Sequence, residues 1–178
     1  MKRVCILGNS GSGKSTLARA LAEKLGVPTY HLDAVFWRPG WQEPERPEFN
    51  FRVRELALED SWTLEGNYSD TLPFRLERAD LAIVLDLPRW FCLCSVLQRW
   101  SANYNKTRAD MAPGCPEKVD LEFIRWIWDG PKRTEKTLEL LKDFPALEVR
   151  IFRSRGEAWK WLEGIRLQGM WLEPPQNL

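Results

Sequence analysis

The chain has 178 residues, enough for one domain with a real core and too few for two comfortable ones. Its 26 Lys and Arg nearly cancel its 25 Asp and Glu, so no general electrostatic drive toward nucleic acid or an anionic membrane is expected. No apolar run approaches the length of a membrane span, and Met1-Lys2-Arg3 leads directly into a strand pattern rather than a signal peptide.

Arg3 to Leu7 is a short apolar run of the kind a buried parallel strand requires. The next eight residues, Gly8-Asn9-Ser10-Gly11-Ser12-Gly13-Lys14-Ser15, fit G-x-x-x-x-G-K-S/T, the phosphate-binding P-loop. Glycine lets such a loop turn its backbone N–H groups inward without a Cβ clash. Lys14 is expected against the β- and γ-phosphates of ATP, and the Ser15 hydroxyl on Mg²⁺. Thr16 is grouped with the nucleotide-binding positions but is expected inside the following helix. Leu17, Ala18, Leu21 and Leu25 recur there at helical spacing, before a stop at Gly26 and Pro28. Strand, glycine loop and helix N-terminus thus stand in the order that anion binding needs.

Thr29 to Leu32 reads as a second strand ending at Asp33, followed by a Pro-, Gly- and Trp-rich loop centred on Phe36 to Trp41. Pro47 opens a helix with Phe49, Val53, Leu56 and Ala57 on one face. Trp62 to Glu65 is a third strand closed by Gly66-Asn67, and Leu81 to Leu85 a fourth ending at Asp86. Pro88 begins a helix toward Trp100. From about 101 to 130 the pattern is irregular apart from a helix over Val119 to Trp128. Pro131 starts a helix carrying Leu138 and Leu141, Leu147 to Phe152 is a fifth strand, and Glu157 to Ile165 a last helix. Glu173 to Leu178 reads as a loose tail. Strands alternating with helices at this spacing predict a parallel sheet with right-handed crossovers in a single domain over 1–178. Cys5, Cys92, Cys94 and Cys115 show no disulfide or zinc spacing, and His31 is the sole histidine. Reduced thiols and a cytoplasmic location are expected.

Together the P-loop, His31-Leu32-Asp33, Trp37-Arg38-Pro39-Gly40-Trp41 and Leu64-Glu65-Gly66-Asn67-Tyr68 resemble the FlaR-type "DNA topology modulation" proteins. Further matching motifs are Leu85-Asp86-Leu87-Pro88-Arg89, Arg108-Ala109-Asp110-Met111, Gly114-Cys115-Pro116-Glu117-Lys118 and Trp126-Ile127-Trp128. Those proteins are similar in turn to adenylate kinase and other nucleoside and nucleotide kinases. The resemblance implies a three-layer α/β/α P-loop NTPase fold, with a five-stranded parallel sheet in the order 2-3-1-4-5. It also implies a mobile helical lid after the fourth strand, over about 101–130.

Asp33, at the carboxyl edge of the sheet where α/β ligands bind, is the candidate catalytic base or acceptor anchor. Glu65 and Asp86 compete for the Mg²⁺ role. The strand pattern favours Asp86, and the strand order implied by the resemblance favours Glu65. Arginines clamp transferring phosphate, and Arg99, Lys106 and Arg108 flank the lid segment, with Arg108 and then Arg99 the candidate catalytic cations. Arg75 and Arg78 are candidates for an acceptor's phosphate. Arg153, after the fifth strand, stands where adenylate-kinase-like proteins contact adenine. Trp37 and Trp41 are candidates to stack on a base or cover the acceptor, and His31 is expected to be a packed or hydrogen-bonded structural residue. Glu65-Gly66-Asn67-Tyr68 departs from the Asp-Gly-Phe-Pro-Arg of adenylate kinases, which speaks against AMP as acceptor.

The expected activity is a Mg²⁺-dependent kinase moving the γ-phosphate of ATP to a small acceptor, a nucleoside or nucleotide among the candidates. The alternative is a nucleotide-dependent switch that binds DNA or a protein. Near-neutral charge and the absence of a nucleic-acid motif weigh against that alternative, and the basic segments Arg99 to Arg108 and Lys132 to Lys136 keep it open. Oligomeric state is not legible.

Overall fold

The computed structural model describes residues 2–165; the tail expected over 173–178 lies outside the described residues. Five parallel strands, β1 (Arg3–Gly8), β2 (Thr29–His31), β3 (Trp62–Glu65), β4 (Leu81–Leu85) and β5 (Glu148–Phe152), form one sheet in the order β2-β3-β1-β4-β5. The expected strand order is therefore present. The chain leaves β1 toward β3 and β2 on one side and returns to β4 and β5 on the other. That reversal makes the carboxyl end of β1 the place where such sheets bind ligands.

Among the described residues eight α-helices cover the two faces: α1 (Lys14–Leu25), α2 (Leu32–Phe36), α3 (Arg46–Leu58), α4 (Leu72–Arg78), α5 (Arg89–Ala102), α6 (Leu121–Trp128), α7 (Gly130–Leu141) and α8 (Arg155–Gly164). Alternation along β1 sends Val4 and Ile6 into a core with Leu17, Leu21, Val96 and Leu162, beneath α1, α5 and α8. Cys5 and Leu7 face the second core, with Phe36, Phe49, Val53 and Leu76 of α2, α3 and α4. The edge strand β5 carries the exposed Arg150–Glu148 pair, the usual protection of an open edge.

Two expectations need correction, and one helix was not expected. The second strand stops at His31, and Asp33 lies in the first turn of α2 rather than on a strand end. Leu32 and Phe36, one helical turn apart, are both buried, and that packing outweighs the extended pattern. The segment before β4 contains α4, whose Leu72 and Leu76 are buried; seven residues are too short to show a clear period. The helix expected from Val119 starts at Leu121, because Asp120 caps it by accepting the Phe123 N–H at 2.8 Å.

Candidate active site

Gly13 caps α1 in a left-handed conformation (φ 98°), and Lys14 is the first helical residue. Gly8 and Gly11 also have positive φ, 145° and 80°. A Cβ on Gly8 would fall 2.7 Å from the Leu85 carbonyl, so only glycine lets β1 turn into the loop there. Among the described residues no side chain caps α1 and its first turn holds no acidic group, which leaves the N-terminal amides for an anion.

Side chains from distant parts of the chain fix the loop from outside. The Asn67 amide accepts from the Gly8 N–H (3.0 Å) and donates to the Gly8 carbonyl (2.9 Å). Arg155 donates to the Gly11 carbonyl (2.6 Å), the Ser12 carbonyl (3.0 Å) and Ser95 Oγ (3.1 Å). Asn9, 5% exposed, accepts from the Ser10 N–H and donates to the Ile127 carbonyl at the end of α6 (2.7 Å). Holding outward carbonyls in this way turns the opposite peptide faces, with their N–H groups, inward.

Glu65 is the hub of the site. His31 and Glu65 are paired across β2 and β3, and Glu65 sits beside Ile6 of β1, which aims its carboxylate at the start of α1. Only 3% exposed, it lies 3.1 Å from Lys14 Nζ, accepts from Ser15 Oγ at 3.0 Å, and meets His31 Nδ1 at 2.9 Å. Burial pushes the Glu65 pKa up, but Lys14 and the His31 hydrogen bond outweigh burial and hold it down at about 2. Burial in turn opposes the Lys14 charge, yet Glu65 and Asp33 leave its pKa raised. Both groups are charged at neutral pH. Asp86 stands apart: its N–H binds the Phe152 carbonyl, and it does not cap α5, where Pro88 is the cap and no side chain bonds it.

Asp33 Oδ1 accepts the Tyr68 hydroxyl at 2.7 Å, and burial together with Asp33 raises the Tyr68 pKa, so Tyr68 stays a neutral donor. Arg75 is 0% exposed and donates to the carbonyls of Gly66, Asn67, Tyr68 and Thr71. That cage supports Tyr68 at φ 27°, a conformation residues with a side chain rarely adopt. Arg78 donates to the carbonyls of Ala57 and Leu58. Arg75 is therefore closed to an acceptor phosphate, and Arg78 is tied to the end of α3.

In the segment after α5, the Glu117 carboxylate, 6% exposed, lies 2.7 Å from Arg99 and 2.6 Å from Arg108, and Arg108 also pairs with Asp110 at 2.8 Å. Arg99 is near enough to act against the charge of Lys14, whereas Lys106 is exposed. Trp37 and Trp41 meet edge to face at 5.2 Å and pack on Met111, Ala112 and Cys115 of the same segment. Trp126 and Trp128 are both about half-exposed, with Arg133 over the first and Arg89 over the second. Arg153 is exposed, and among the described residues only its backbone N–H is bound, by Glu157; it is Arg155 whose guanidinium reaches the P-loop. Thr16 is exposed on the first turn of α1 and lines a cavity of about 170 Å³ with Gly13, Arg155 and Trp159.

Three solved structures share this architecture over nearly the whole chain. Shikimate kinase from Acinetobacter baumannii, in complex with shikimate, is 17% identical, covers 92% of this chain and 89% of its own, and has a TM-score of 0.57. The shikimate kinase of Bacteroides thetaiotaomicron is 20% identical over 91% and 94%, with a TM-score of 0.53. That of Aquifex aeolicus is 16% identical over 90% and 92%, with a TM-score of 0.52. The fold is that of the P-loop kinases. Within this P-loop kinase fold, a Pyrococcus furiosus protein named "Putative adenylate kinase" is 37% identical over 89 residues, 46% of this chain and 47% of its own. The chain thus matches about half the length of that curated relative. No protein-family model matches. Among the described residues no helix is long and apolar enough to cross a membrane.

Asn67, Tyr68, Glu117 and Arg155 escaped the sequence reading as site residues. Asn67 had one usable sign: it follows a glycine at the carboxyl end of a strand expected beside β1.

Proposed function

We propose that this chain is a Mg²⁺-dependent kinase that transfers the γ-phosphate of ATP to a hydroxyl of a small acceptor. The observation that carries the reading is the junction of Lys14, Ser15 and His31 on the buried Glu65 carboxylate at the carboxyl edge of β1. Asp33 stands on the neighbouring α2.

The P-loop amides and Lys14 bind the β- and γ-phosphates, and Arg99 and Arg108 spread charge over the transferred group. The acceptor's hydroxyl oxygen bonds to the γ-phosphorus as the bond to the β–γ bridging oxygen breaks. ADP departs with the electron pair and Asp33 takes the hydroxyl proton. Tyr68 keeps the Asp33 carboxylate oriented for that proton.

Ser15 Oγ and the Glu65 carboxylate are hard oxygen donors side by side, and no group of three or more His, Cys, Asp or Glu suited to a metal occurs among the described residues. Such a sparse oxygen set fits Mg²⁺, which fills its remaining positions with water and phosphate. Magnesium, when bound, supplies positive charge to the phosphate oxygens. The motifs around Glu65, Arg108 and Glu117 support a place in the FlaR-type group. Four free cysteines, Cys5, Cys92, Cys94 and Cys115, support a reducing compartment such as the cytoplasm.

The test is ADP release from Mg-ATP across nucleosides, nucleotides, small alcohols and plasmid DNA, with Lys14→Ala and Asp33→Asn in parallel. Stimulation by a small acceptor, lost in both variants, is expected. Stimulation by DNA alone, or a background untouched by Asp33→Asn, overturns the reading.

A further inference from the structure

A phosphate ester is recognised by cationic donors that are open to it. On the acceptor side of this site the cations already have partners. Arg75 is wholly buried, with its donors on four backbone carbonyls, and Arg78 is bound to two more. Arg38 is paired with Glu48. Arg46 and Lys118 are the exceptions: the Arg46 guanidinium lies 4.9 Å above the Phe36 ring with the Glu43 carboxylate 3.9 Å away, and the exposed Lys118 Nζ lies 5.2 Å from the Trp41 ring.

The groups that remain for the acceptor are an anion, a neutral hydroxyl and flat rings. Asp33 Oδ1 is bound by Tyr68, and Oδ2 has no hydrogen-bond partner among the described residues. The half-buried rings of Tyr68 and Trp37 pack against the core ring of Phe36, at 5.1 and 5.0 Å, so an aromatic wall adjoins the carboxylate. A phosphate dianion brought against Asp33 meets like charge, with Glu65 behind it. A hydroxyl on a flat or alicyclic body meets a hydrogen-bond acceptor and an apolar wall.

Resting on the kinase reading above, we propose that the acceptor is an uncharged hydroxyl compound, of the nucleoside or alicyclic polyol kind, and not a phosphate ester or a carboxylate. The chemistry that selects it is the pairing of Asp33 with a wall of aromatic rings, beside Arg75 and Arg78, whose guanidinium groups are bound to backbone carbonyls.

The experiment compares matched pairs with Mg-ATP: adenosine and AMP, uridine and UMP, and myo-inositol and its monophosphate. Shikimate serves as the carboxylate probe. One uncharged member is expected to exceed its charged counterpart by about tenfold or more in kcat/KM, with the rate lost in Asp33→Asn. Arg46→Ala, checked for folding by far-UV circular dichroism, is expected to change the acceptor KM by less than about threefold. A preferred phosphate ester or shikimate, with Arg46→Ala raising its KM about tenfold, overturns the acceptor class and leaves the kinase reading intact. Equal use of both members of every pair overturns the class as well. No stimulation by any probe, over a background that Asp33→Asn does not change, overturns both.

Discussion

At the P-loop the long-range polar contacts end on backbone atoms: Asn67 on both sides of Gly8, Asn9 on Ile127, and Arg155 on Gly11 and Ser12. Around the segment after α5 they run between charges, with Glu117 holding Arg99 and Arg108, and Asp110 holding Arg108 again. A phosphate cannot take the place of a peptide carbonyl without undoing the loop. It can take the place of a carboxylate beside an arginine, because both are oxyanions with similar reach. The loop's shape therefore rests on contacts within the fold, and Arg99 and Arg108 are held in a pairing that a phosphate can exchange.

Glu65 meets the loop through side chains instead, with Lys14, Ser15 and His31 all on its carboxylate, so its loss should be the largest effect. Glu65→Gln removes the charge opposite Lys14 and the carboxylate beside Ser15, and a fall of about two to three orders of magnitude in kcat is expected. Steady-state ADP release, with circular dichroism to confirm the fold, measures it. A fall of less than about tenfold would remove Glu65 from the centre of the site.

Arg155→Ala sharpens the loop side of the comparison. It leaves the Gly11 and Ser12 carbonyls without their donor, a loss of about 1–3 kcal/mol, so the KM for ATP should rise by about tenfold or more. An unchanged KM would mean that the loop holds its shape without that guanidinium.

Glu117→Gln should act in the opposite direction and more weakly. Freed from the carboxylate, Arg99 and Arg108 are available to phosphate, so ATP should bind about threefold more tightly. The melting temperature of the nucleotide-free protein should fall, since largely buried Arg99 loses its carboxylate and Arg108 keeps Asp110 alone. Calorimetry on both forms decides this; weaker ATP binding would show that Glu117 presents the arginines to the nucleotide rather than competing with it.

Much of this site was legible from spacing. The glycine loop announces itself, since positive φ at Gly8, Gly11 and Gly13 is a local demand that few residues meet. Lys14 and Ser15 follow from the same turn. Asp33 was placed on the correct edge but on the wrong element, because Leu32 and Phe36 bury as a helix pair where the local pattern reads as strand. Arg75 looked like a phosphate clamp and is a buried brace, a distinction that depends on which carbonyls surround it.

The sequence alone determined the strand–loop–helix unit, the alternation of strands and helices, and the chemistry available at the loop, all of which depend on neighbours within a few residues. The tertiary structure decided which partners meet. Glu65 rather than Asp86 reaches Ser15 across 50 residues, and Arg155 rather than Arg153 reaches Ser12 across 143. Strand order and register select those pairs, because a carboxylate at the end of β3 faces the start of α1 only when β3 lies beside β1.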